Sequence, residues 1–223
     1  MSTLRYVHSL HTFGPHESLT DSTVKQLKQN FSPLVSRRLT RMALMIGECL
    51  KHASIPTNAS VIYATTYSES NCLEKYLASF PTPSPLMFQN SIHPSGMEQV
   101  LIARKQAIEE FLCFAGADHI LHSALIAACM SEQPEQWLIV AEEKATWLTE
   151  EDCASAVDFA LALQLNANPD QALAKLEWNP ADATAAEQDA TTLRPLQFLQ
   201  QLQARQDLHL STQSLGSMSL QWL

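Results

Sequence analysis

Glycine is scarce in this 223-residue chain: five occur, and none sits in a G-x-G-x-x-G or P-loop pattern. Backbone amides cradle nucleotide phosphates only where glycine lets the chain approach closely, so dinucleotide and nucleotide cofactors are disfavoured. Basic residues are also few, 14 Lys and Arg against 23 Asp and Glu, for a formal net charge of −9. A nucleic-acid partner needs a concentrated basic face, and none is expected here. No apolar run approaches the roughly 20 residues that cross a bilayer, so no membrane span is expected. The opening MSTLRYVHSLHTFGPH lacks the continuous apolar segment of a secretion signal, which leads to the expectation of a cytoplasmic protein. The cysteines, Cys49, Cys72, Cys113, Cys129 and Cys153, are odd in number and never form C-x-x-C. That excludes a disulfide framework or cysteine-based zinc site as the expectation, and neither metal nor cofactor is expected.

What is present is a chain with 46% hydrophobic residues, enough for a true core. Residues 4–13 read as a first strand, ended by Gly14-Pro15. Over 32–53, Ser32 as N-cap, Pro33 at the first helical position and apolar residues at 34, 35, 39, 42, 43, 45, 46 and 50 predict one amphipathic helix. ASVIYATT (59–66) is a β-branched run of the buried-strand kind, and SESNCLEKYLASF after it opens a helix. FPTPSPL (80–86) reads as a loop, because its prolines deny helix and ladder hydrogen bonds alike. NSIHPSG carries His93 in a further loop before the helical MEQVLIARKQ. AIEEFLCFAG, DHILHSALIAACMSE and QWLIVAEE then spell strand, helix, strand, a βαβ unit whose strands run parallel. The alternation in CASAVDFALALQLNA (153–167) predicts a fifth strand, antiparallel to its predecessor. Residues 167–192 are polar and alanine-rich, partly helical or loose, and LRPLQFLQQLQARQ and SMSLQWL suggest a closing helix and a last strand. No linker forces two domains: the expectation is one domain over 1–223, with a core at about 5–165 and a C-terminal extension at 166–223.

Gly116 stands between a strand and a helix, where helix N-terminal amides could stabilise a thiolate or an oxyanion. Glycine offers no nucleophile to benefit, and a tight turn explains it equally well. Cys113, inside FLCF, reads as a small buried hydrophobe; the alternative is an acyltransferase or thioesterase using Cys113 with His93 or His119. His119 and His122 lie three apart behind Asp118, a spacing compatible with a metal, but no further ligand is marked and Asp118 is better read as a first-turn acid. Arg37, Arg38 and Arg41 share one side of the predicted first helix, either as a solvated face or as a docking corner for an acidic partner such as a carrier protein.

Together, SPLVSRRLTRMALMIGECL, VIYATTYSESNCLEKYL, SPLMFQNSIHPSGMEQVLIARKQ and AGADHILHSALIAAC followed by WLIVAEE resemble the N-terminal half of a β-ketoacyl-acyl-carrier-protein synthase. More specifically, they resemble the stand-alone β-ketoacyl synthase chain length factor family of aryl polyene and related type II fatty-acid-like clusters, over about residues 5–165. In active ketosynthases the strand-turn-helix carries Ala-Cys-Thr/Ser; here the alanine falls on Ala115 and the nucleophile's place on Gly116. The family's S-V-H-N-A-x-A-G appears as S-I-H-P-S-G, with Ser91, Ile92 and His93 kept and the asparagine replaced by Pro94. The two histidines that complete a ketosynthase site belong to the C-terminal half of the full-length enzyme.

The resemblance implies an α/β, thiolase-like half-fold: a mixed, mainly parallel five-stranded sheet with helices on both faces, and FLCFAG at an edge that pairs across a two-fold axis. It implies a catalytically inactive subunit that forms a heterodimer with an active ketosynthase and helps set acyl or polyene chain length. Phe111, Cys113, Phe114 and Ala115 would form the partner interface, and Met97, Phe111 and Phe114 the pocket floor. Substrates would be thioesters on acyl carrier protein, held chiefly by the partner. An open apolar edge strand invites aggregation, which by itself also predicts a partner.

Overall fold

A computed structural model describes residues 3–116, 119–180, 193–212 and 214–223. Its centre is an eight-stranded sheet in the order β3-β2-β4-β5-β1-β6-β8-β7. These strands are β1 (Thr3–His16), β2 (Ala59–Thr65), β3 (Glu110–Ala115), β4 (Glu135–Glu142), β5 (Asp158–Asn166), β6 (Ala174–Asn179), β7 (Leu208–Thr212) and β8 (Gly216–Trp222). The expected five-stranded, mainly parallel sheet is therefore corrected. Only β2 with β3 and β2 with β4 run parallel, whereas β4–β5, β5–β1, β1–β6, β6–β8 and β8–β7 are antiparallel. The extension after residue 166 supplies three of these strands. Sequence alternation under-reports β6 because AKLEWN is short and lies among polar residues; its two buried side chains, Ala174 and Leu176, find their cover in β1 and β8.

Strands β2, β4 and β5 are buried at almost every position, because helices cover both faces of the sheet. Side chains alternate between two cores. Ile62, Ala64, Leu138, Val140, Leu161 and Leu163 face α7 (Ile120–Met130) and α9 (Pro195–Gln203). Val61, Tyr63, Trp137, Ile139, Ala160 and Ala162 face α3 (Arg41–Cys49) and α6 (Ser95–Ala103). The shorter helices α1 (Asp21–Lys28), α2 (Pro33–Ser36), α4 (Ser70–Ala78), α5 (Pro85–Ser91) and α8 (Trp147–Glu150) lie around this frame.

The helix expected over 32–53 is two helices. α2 ends at Ser36, and Thr40 starts α3 by accepting from the Ala43 amide through its hydroxyl. A threonine hydroxyl competes for backbone donors and favours a cap over a helix interior. The Gln99 side chain fixes the break by accepting from the Thr40 amide at 2.8 Å. The loop expected over 80–86 gives way at Pro85, which opens α5 from the first helical position, behind Ser84 as N-cap.

Candidate functional site

The site is built where the parallel strands end. β3 lies at the sheet edge, paired only with β2, in register from Ser60–Glu110 to Thr65–Ala115. One residue on, Gly116 turns away with φ +134, its amide donating to the Thr65 carbonyl at 3.3 Å. A β-carbon built at Gly116 would meet nothing within 4 Å, so the turn opens into free space. α7 begins at Ile120 behind His119, which is held in the left-handed region with φ 54. The strand and the helix read from the sequence are thus present, and Gly116, without a side chain, leads out of the strand; Ala117 and Asp118 lie outside the described residues.

At this end of the sheet lie the buried carboxylates Glu69, Glu142, Glu143 and Asp158. Glu142, at the end of β4, accepts from the Thr65 hydroxyl at 3.2 Å and the Thr66 amide at 2.5 Å. Glu143 accepts from the Asn71 amide at 2.9 Å. Glu69 accepts from the Gly96 amide at 2.9 Å and the Tyr63 hydroxyl at 3.5 Å, while its other oxygen lies 3.6 Å from His93 Nδ1. Asp158 accepts from the Leu19 and Lys144 amides and pairs with Arg41 at 2.5 Å. Burial pushes Glu142 up to about 7, against the hydrogen bonds from Thr66 and Thr65. Burial pushes Glu143 up to about 8, with Glu69 and Asp158 adding to the rise and the Asn71 amide and Arg41 opposing it. Each carboxylate clamps a loop to the sheet, and Gly96 shows how closely: a β-carbon there would lie 2.7 Å from Met42 Cγ and 3.2 Å from the Glu69 carboxylate.

His93 is accordingly a wall residue, its ring 4.8 Å from that of Tyr63. On its outer side runs an apolar cleft of about 830 Å³ between α2, α5 and α6, with Leu34, Val35, Leu86, Ile92 and Ile102 in its walls. Leu34 and Ile102 are 71% and 76% exposed, far more than apolar side chains of a self-contained face need to be.

The residues singled out by sequence are only partly brought together. Phe111 and Phe114 fall on opposite faces of β3, one packed on the α3/α6 core and the other on the α7/α9 core. The period of two along a strand forbids them from sharing a floor, and Met97 is fully buried in the core. The expected common pocket of Met97, Phe111 and Phe114 is therefore corrected. Cys113 and Ala115 are exposed on the edge strand, which corrects the reading of Cys113 as buried. Arg37 and Arg38 are exposed in the break between α2 and α3, whereas Arg41 begins α3 and is committed to Asp158, so the three do not share a helix face. His122 is buried, and neither ring nitrogen has a partner among the described residues; burial, then His119, lowers its pKa. Among the described residues, no three His, Cys, Asp or Glu side chains cluster as metal ligands. None of the described helices is long and apolar enough to cross a membrane.

The sequence reading missed the carboxylate layer. Its signal was the pair Glu142-Glu143 closing an otherwise apolar strand, together with Asp158 opening the next.

Cys72, Cys113 and Cys129 are held away from the thiolate form. Burial raises Cys72 and Cys129 to about 12; Cys113, exposed but partly desolvated where it lies against the sheet, is raised to about 11, with help from Glu98 and Glu69. For Cys113, two units above the ordinary thiol value of 9.0 cut the thiolate fraction about a hundredfold, of which higher intrinsic nucleophilicity restores about tenfold. Iodoacetamide at neutral pH should label Cys113 about tenfold more slowly than a free cysteine peptide, read by mass spectrometry. Labelling faster than the peptide would mean an activated thiol.

The β-ketoacyl synthase N-terminal domain model matches residues 14–222. No curated protein matches significantly. Among solved structures, a chain of "Ketosynthase (ApeO) in Complex with its Chain Length Factor (ApeC) from Xenorhabdus doucetiae" aligns with TM-score 0.60 and 16% identity, over 98% of this chain and 99% of that one. That likeness is one of fold. The tetronic acid condensing enzyme AbyA1 aligns with TM-score 0.41 and 9% identity, over 88% of this chain and 68% of that one.

Proposed function

Because this chain belongs to the β-ketoacyl synthase N-terminal domain family, we propose that it is a non-catalytic, chain-length-factor-like subunit that pairs with an active ketosynthase. The observation that carries this reading is Gly116. It occupies the turn after β3, has no side chain, and gives its amide to the Thr65 carbonyl, at the position where the resemblance to ketosynthases would put the nucleophile that covalent capture of an acyl group needs. Cys113, three residues back, has a thiol raised to about 11 and does not replace it. Pairing is supported by the outer edge of β3, which no strand among the described residues pairs and which could extend a partner's sheet. It is supported as well by the similar chain in the ketosynthase and chain length factor complex. In this reading Cys113 and Ala115 meet the partner, and Phe111 and Phe114 border the seam from its two faces. The subunit stabilises the ketosynthase and helps shape the space that limits acyl or polyene length. The thioester substrates stay on acyl carrier protein and are bound chiefly by the partner.

Co-expression with a ketosynthase from the same source should give one species on size-exclusion chromatography containing both chains, and Cys113→Arg, which sets a charge on the exposed edge, should split it. Elution of the two wild-type proteins as separate species would refute the pairing. Condensation of malonyl units, or covalent acylation, by the purified chain alone would refute its inactivity.

A further inference from the structure

Away from the β3 edge, a second hollow of about 420 Å³ lies between α1, the α2–α3 break, α4 and α5. Lys28, Arg37, Arg38, Arg41 and Lys75 line it, against a single acid, Asp21. Among the described residues, five Lys and Arg thus converge on one depression while a single Asp does, in a protein of net charge −9. Only Arg41 has a carboxylate partner within ion-pair distance among the described residues; Lys28, Arg37, Arg38 and Lys75 have none. Arg41 is itself preset: Asp158 holds one end of its guanidinium, and its buried Nε has no acceptor. The remaining walls include Leu19, Val24, Leu44 and Met87, apolar side chains that weaken solvent screening inside the hollow.

Like charges gathered in this way repel one another; solvent screens the exposed Lys28, Arg37, Arg38 and Lys75 in part, and a bound counter-anion lowers the cost further. Its valence follows from the cations: a single carboxylate would leave most of them unmatched, whereas a phosphate or diphosphate group presents several charged oxygens. Arginine forks recognise such oxygens two at a time. The concavity decides between a small ligand and a protein surface, because a hollow of this volume falls within the range of small-molecule sites. We infer that the depression between α1, the α2–α3 break and α4 is a binding site for a small phosphate-bearing polyanion, gripped by Arg37, Arg38, Lys28 and Lys75 around a preset Arg41. This inference does not depend on pairing with a ketosynthase.

Isothermal titration calorimetry on the full chain, with inorganic pyrophosphate and separately with ADP in chloride of matched ionic strength, tests it. One saturable site is expected. Arg38→Gln and Lys75→Gln should each weaken it at least about tenfold, the loss expected for a charge-assisted contact, while Lys175→Gln, on β6 outside the hollow, should leave it unchanged. Equal affinity for the two ligands would mean that the phosphates alone are read, and tighter ADP binding that the organic part also makes contact; either supports the site. No saturable heat with either ligand, or binding that both variants leave intact, would overturn it. So would binding of an acidic carrier protein at these residues that pyrophosphate does not compete with.

Discussion

Asp158→Ala should lower the thermal unfolding midpoint by about 6–12 °C, as read by calorimetry. Asp158 is fully buried, and three groups converge on it: the Leu19 amide, the Lys144 amide and the Arg41 guanidinium. Removing one partner of a buried pair costs about 3–5 kcal/mol, because the surviving charge loses its compensation. Arg41 keeps 23% of its side chain in solvent, which puts the cost at the lower end, about 3 kcal/mol, and a chain of this length loses about 2–4 °C per kcal/mol. Asp158→Asn retains one carbonyl acceptor and should fall between. A shift of less than 2 °C for the alanine variant would mean that Arg41 re-pairs, with Glu143, whose carboxylate the Arg41 charge already favours.

The second large effect depends on pH. Glu142 and Glu143 have folded-state pKa values of about 7 and about 8, raised from 4.5 by burial. Below pH 4.5 the folded and unfolded chains hold these protons alike, and the stability the two groups contribute is fully present. Between 4.5 and 8 the folded chain alone retains them, so each step up in pH withdraws stability. Above about 8 both states have released the protons and the decline ends. Denaturant unfolding at pH 5.5 and pH 8.5 should therefore differ by several kcal/mol, with the more acidic sample the more stable. Glu143→Gln keeps the shape and an acceptor for the Asn71 amide but cannot ionise, so its profile should be visibly flatter. A wild-type profile that is level or rises over this range would show that the buried pair ionises without penalty.

Much of the architecture could be read from residue patterns, and what escaped has a physical cause. β2, β4 and β5 were legible because burial on both faces forces long apolar or alternating runs, and β3 because Gly116 punctuates it before α7. β6 and β7 were not, because strands of six and five residues with half their side chains polar carry too little periodic signal; hydrogen bonding to β1 and β8 decides their conformation. The missing side chain at Gly116 was plain in the sequence. The layer of Glu69, Glu142, Glu143 and Asp158 was hidden, since acidic residues at strand ends read as solvated until the loops that cover them are in place. Arg41 was misassigned for the same reason: its partner lies 117 positions along the chain.

The position of β1 bears on how the molecule assembles. β1 lies between β5 and β6, Val7 facing Leu165 on one side and Ala174 on the other. No local neighbour can satisfy this segment during synthesis, so the middle of the sheet closes only after most of the chain has left the ribosome. Partners so distant in sequence make folding slow. Until β5 and β6 emerge, β1 waits with the hydrogen-bonding groups of both its edges unpaired, and it is at this stage that the nascent protein depends most on being shielded.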